Sequence, residues 1–184
     1  MKFYQLPAQL PPLDINQVKG DMVSSFANYR MHTIKDLDYL ETVLHAHIHM
    51  KIAPTSVYLV EVLPTRPYVA HKQSCATSLN IYLDTANTST IFWKSAPVAP
   101  TMLPVESVEN LVSPITAFSY ENVDLQYHSH FVPEANQMYL LDTHSVHSIV
   151  PGDSIQASAK KRVFIKYFWN NHAIDQITES IGIL

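Results

Sequence analysis

The chain has 184 residues, 47% hydrophobic and 15% charged, with a net charge of −4; these values suit one globular domain able to fold without disulfides. Three glycines, no GxGxxG and no P-loop pattern exclude a Gly-rich phosphate cradle, and no basic block or long apolar run supports general nucleic-acid or membrane binding. The lone Cys75 and a start, MKFYQLPAQLPPLD, without an apolar signal core make cytoplasmic the expected compartment.

Residues 1–12 are Pro-rich and read as an extended segment along a surface or sheet edge. Asp14 is placed to cap a helix with Ile15, Val18, Met22, Val23 and Phe26 on one face, although Gly20 weakens it. Thr33 reads as a second N-cap, with Asp36 at N3. Ile34, Leu37, Leu40, Leu44 and Ile48 then recur at helical spacing until Pro54. From residue 56 short apolar or alternating runs follow one another. Strands are expected at Ser56–Val62, Tyr68–His71, Thr77–Leu83, Thr90–Trp93, Thr116–Tyr120, Val123–His130, Met138–Asp142, Ser145–Val150 and Arg162–Trp169. Serial strands without helices between them predict an antiparallel sandwich or barrel. Asp84–Ser89 reads as a hairpin connection. Residues 94–114, with four prolines, read as a long loop, and 151–161 as a second one. Asn171 is placed to cap a last helix carrying Ile174, Ile177, Ile181 and Leu184. The expected organisation is a single domain. Residues 1–55 form an extended and helical segment on a β core of 56–169, and 170–184 form a C-terminal helix. The helices cover one sheet from outside.

Ten histidines make this residue type the one to follow. His71 and His147 lie at strand ends, where side chains from different strands converge. Arg162 stands in the apolar strand KRVFIKYFW, and an arginine there needs an anion. Its plain alternative is a salt bridge to Asp142 or Glu61. His128 and His130 alternate on one strand and are candidates for the pocket, as is Trp93 for its wall. Asn80 and Tyr82 share a strand face beside it. His45, His47 and His49 read as a solvated helix end. Cys75 reads as a small buried residue.

The stretches YVAHKQSCATSLNIYLDTANTSTIFW (68–93), MYLLDTHSVHSIV (138–150) and KRVFIKYFW (161–169) together resemble the 2-oxoglutarate- and Fe(II)-dependent oxygenases, nearest the aspartyl/asparaginyl β-hydroxylase-like branch. The resemblance covers about residues 56–169. It implies a mainly β fold: a double-stranded β-helix, or jelly-roll and cupin-like barrel, with flanking N-terminal helices and a short C-terminal helix. It implies His71 and His147 as Fe(II) ligands and Arg162 as the group that holds the distal carboxylate of 2-oxoglutarate, with Asn80 and Tyr82 near that co-substrate. The expected activity is hydroxylation of a small molecule or an amino-acid or peptide side chain. One departure stands out. The family places an aspartate two residues after the first histidine, and this chain has Gln73 there. An amide is a poorer ligand for a divalent cation and leaves the site one negative charge short. The alternative is a catalytically degenerate barrel that serves as a binding or assembly module. A third possibility is a cupin-like metal site on His128 and His130.

Overall fold

A computed structural model describes residues 1–26, 28–63, 70–94, 101–102, 106–107, 117–119, 125–151 and 160–184. In chain order its elements are β1 (Phe3–Gln9), α1 (Ile15–Val18), β2 (Lys19–Phe26), β3 (Tyr29–Ile34), α2 (Leu37–His45), β4 (Ile48–Met50), β5 (Ser56–Val62), β6 (His71–Gln73), β7 (Thr77–Asp84) and β8 (Thr88–Lys94). There follow β9 (Thr101–Met102), β10 (Glu106–Ser107), β11 (Ala117–Ser119), β12 (Gln126–Phe131), β13 (Gln137–Asp142), β14 (His147–Pro151), β15 (Arg162–Trp169), α3 (Ile174–Ser180) and β16 (Ile181–Ile183). The fold is mainly β and its strand pairs are antiparallel, as the run of short strands predicts.

Two large sheets carry the architecture. One has eight strands in the order β1-β13-β7-β15-β5-β3-β2-β10, and the other has six in the order β12-β8-β14-β6-β11-β9. A small third sheet pairs β16 with β4. The chain crosses repeatedly between the large sheets: β5, β7, β13 and β15 lie in the first, and β6, β8, β12 and β14 in the second. The turn after β7 is therefore not a hairpin. It is tight, with Ala86 and Asn87 at φ 48° and 51° and the Asp84 carboxylate accepting from the Ala86 amide at 2.9 Å. It nevertheless delivers β7 and β8 to different sheets.

β15 sits in the middle of the larger sheet, and all eight of its residues are buried. Its alternate residues serve two cores. Val163, Ile165, Tyr167 and Trp169 pack with Leu40, Leu44, Ile174 and Ile177 of α2 and α3. Phe164 and Phe168 point the other way, toward Phe92, Phe131 and Ile149 of the second sheet. The helices thus cover one face of one sheet, as expected.

Both N-terminal helices are shorter than their apolar spacing suggests. Asp14 caps α1 through the Asn16 amide at 2.9 Å, but the helix ends at Val18, and Lys19–Phe26 become a strand. Gly20 explains the switch: a Cβ there would sit 2.3 Å from Thr33 Oγ1, so β2 and β3 approach too closely for a side chain. Thr33 belongs to β3, and Asp36 is the N-cap of α2, accepting from the Tyr39 amide at 2.9 Å. The last helix starts after Ala173 and stops at Ser180, where Ile181–Ile183 pair with β4 instead of extending it. The Pro-rich start is a strand, β1, at one edge of the larger sheet. The expected loops at 94–114 and 151–161 fall mostly outside the described residues.

Candidate functional site

The two sheets enclose a narrow cavity, and of the residues singled out from the sequence Gln73, Asn80, Tyr82, His147 and Arg162 line it. His71 and His147 occupy directly paired positions on β6 and β14. Their ring centroids are 4.5 Å apart, and both side chains are buried. Gln73, two residues on, faces the same side and is buried too. Tyr29 packs edge-on against His71 with centroids 5.1 Å apart.

Burial is the main reason that the His147 imidazole stays well below its ordinary range, and neighbouring His71, Lys166 and Arg162 push it the same way. The ring is neutral at pH 7. Its Nδ1 lies 2.8 Å from the Ser145 carbonyl, so the proton sits on Nδ1 and Nε2 keeps the lone pair.

Arg162, at the start of β15, is only 1% exposed. Nη1 donates to Thr88 Oγ1 at 3.3 Å and Nη2 to Thr90 Oγ1 at 2.9 Å. The Thr88 hydroxyl in turn donates to the Thr85 carbonyl at 2.7 Å, which turns a lone pair toward the guanidinium. The Tyr82 ring lies under the guanidinium carbon at 4.5 Å. Nε has no acceptor among the described residues. Among the described residues no carboxylate reaches this arginine. Asp142 pairs with Lys2 at 3.3 Å, and Glu61 pairs with Lys19 at 2.6 Å and Lys161 at 3.2 Å. The plain salt-bridge alternative is thereby ruled out.

Sequence reasoning overlooked Lys166. It lies four residues after Arg162 on the same face of β15, opposite Asn80 of β7, and is 4% exposed. Its Nζ donates to Gln73 Oε1 at 2.5 Å and lies 4.9 Å from the Phe168 ring centre. Burial pushes its pKa down to about 8, and Arg162 adds to the push while Cys75 opposes it. Period-two alternation in RVFIKYFW places 162, 164, 166 and 168 on one face, a signal that could have found it.

Asn80 and Tyr82 also line the cavity, as expected, and are tied together by an Asn80 Nδ2 to Tyr82 Oη bond of 3.2 Å. His128 and His130 do not line it. They are exposed on β12, with His130 Nδ1 2.7 Å from Tyr127 Oη; the adjacent Phe131 turns into the core, which leaves the histidines on the outer face. Trp93 does not wall it either. Its indole donates to Ser148 Oγ at 2.9 Å, and the ring borders a separate surface cleft with His128, Lys2, Lys72 and Lys94. Cys75 is buried, as expected; burial raises its pKa, so the thiol stays neutral.

The donor set can be weighed against Fe(II). Two paired imidazoles suit a divalent metal. The third position does not, because the Gln73 oxygen already accepts from an ammonium that would repel a second cation. Among the described residues no three His, Cys, Asp or Glu side chains gather as a metal-holding group. As arranged, the residues do not fit the metal. They fit an anion: two buried cations border one cavity that no Asp or Glu lines among the described residues.

No family model matches the chain, and no curated protein matches it. Among the described residues no helix is long and apolar enough to cross a membrane.

Proposed function

We propose that this chain is a double-stranded β-helix of the 2-oxoglutarate oxygenase type that has become a binding module, with its central pocket taking a small carboxylate on Arg162. The strand exchange between the two sheets supports the fold. β5, β7, β13 and β15 alternate with β6, β8, β12 and β14, and the wound order of both sheets suits a jelly roll. One observation carries the function: a fully buried guanidinium held by two threonine hydroxyls, with an unused Nε and no carboxylate partner among the described residues. A buried cation in that state costs stability until an anion arrives. Its planar fork favours a carboxylate over a spherical ion. The direct test is calorimetry with 2-oxoglutarate on the wild type and on Arg162→Met. Saturable binding lost in the variant is expected. No binding by the wild type at millimolar concentrations would overturn the reading.

The hydroxylase reading, with Fe(II) on His71, His147 and Gln73 and 2-oxoglutarate on Arg162, has the paired imidazoles in its favour. It requires Lys166 to leave Gln73. Titration of Fe(II) in the absence of oxygen tests it: tight binding lost in His147→Ala would favour it over the binding module.

A further inference from the structure

Arg162 and Lys166 stand on one face of β15 and both border the cavity. Four residues of strand separate their Cα atoms by about 13 Å, and both long side chains reach into the same space. Between them on that face is Phe164; Leu141 of β13 lies in the same sheet, and Ile149 of β14 faces them from the other. The lining therefore runs cation, apolar surface, cation. Among the described residues Arg162 reaches hydroxyls and the Tyr82 and Phe164 rings. Lys166 reaches the amide oxygen of Gln73 and the Phe168 ring. Neither makes an ion pair among the described residues, whereas the buried Glu61 is met by two lysines.

We infer that Lys166 is a second anion anchor, and that the cavity is a metal-independent site for a short aliphatic dicarboxylate with one carboxylate on Arg162 and the other on Lys166. The inference rests on the carboxylate-binding reading and adds to it the second charge and the independence from metal. The apolar lining between the cations suits the methylene chain of such a ligand; the cavity of about 20 Å³ holds only water-sized guests as it stands, so side chains that line it must turn aside to admit the diacid. Lys166 exchanges a neutral acceptor, Gln73 Oε1, for a charged one. Its flexible four-carbon stem allows that exchange without movement of β15. Placed beside Gln73 and the two imidazoles, the ammonium supplies the positive charge that a divalent ion would otherwise bring to that end of the pocket.

The test is a set of calorimetric titrations in the presence of a chelator. Succinate, glutarate and 2-oxoglutarate are compared with butyrate on the wild-type chain. At least one dicarboxylate should bind about tenfold or more tighter than butyrate. In Lys166→Met that advantage should vanish while butyrate binding is retained. If every diacid binds the wild type no better than butyrate, or if the advantage survives Lys166→Met, the inference falls while the Arg162 reading stands. If no carboxylate binds at all, both fall. Should the variant fail to fold, the wild-type comparison of diacid with monoacid still decides. Diacid binding that appears only after Fe(II) is added would overturn it as well.

Discussion

The two faces of β15 are both buried, yet they carry different chemistry. The face toward the helices is Val163, Ile165, Tyr167 and Trp169, and its partners are aliphatic side chains of α2 and α3. The face toward the second sheet alternates Arg162, Phe164, Lys166 and Phe168. The first is stabilised by burial of apolar area, and its one polar side-chain atom without a partner among the described residues, the Tyr167 hydroxyl, is uncharged. The second includes two cations taken out of water and matched, among the described residues, with neutral acceptors, which costs stability. One strand therefore serves as a structural spine on one side and as the floor of a site on the other. A buried cost that no internal partner offsets marks the functional side of the strand.

The contrast can be broken most severely by moving a charge to the other face. Ile165→Lys puts an ammonium among the buried aliphatic side chains Leu40, Leu44 and Ile177. A loss of about 4 kcal/mol or more is expected in urea unfolding. A loss below about 1 kcal/mol would mean that the two faces tolerate charge equally.

The next effect is read through pH. Burial holds the folded-state pKa of Lys166 at about 8, below the ordinary 10.5. The unfolded chain keeps its proton up to the higher value. The native chain thus carries the cost in full below about pH 8 and sheds it as pH rises toward 10.5, so stability increases through that window. The gain is on the order of 3 kcal/mol for this group. Lys166→Met should be more stable than wild type at pH 7 and should lack that rise. Identical pH profiles for the two proteins would contradict the uncompensated cation.

Gln73→Asp should have a smaller effect. It gives Lys166 a carboxylate at the position of its present acceptor, and a gain of about 1–2 kcal/mol at pH 7 is expected, with weaker diacid binding. Thermal unfolding with and without glutarate checks both. The smallest effect is at the exposed histidines: His128→Ala and His130→Ala should shift stability by no more than about 0.5 kcal/mol and leave carboxylate binding unchanged.

The strands were the legible part of the sequence where burial is local and strong. Ser56–Val62 and Arg162–Trp169 begin and end where their β-branched and aromatic runs do. The N-terminal helices were misread because long-range pairing overrode local spacing. Lys19–Phe26 has helical periodicity, but Gly20 answers to Thr33 on the neighbouring strand, a contact that no window of the sequence contains. The site was legible in its named residues, since His71, Gln73, His147 and Arg162 do converge. Its charge balance was not. Lys166 hid in an apolar strand as one more residue of the run. Whether Asp142 or Glu61 would satisfy Arg162 depended on Lys2, Lys19 and Lys161, distant in sequence. His128 and His130 alternate as pocket residues would, but the inward face of β12 is the one that carries Phe131.

The central claim is that the cavity takes a carboxylate on its own cations. Titration of 2-oxoglutarate into the chain at pH 7 with a chelator present tests it most directly. The account predicts saturable binding at one site per chain, abolished by Arg162→Met. Binding that is absent under the chelator and appears on addition of Fe(II) would contradict it.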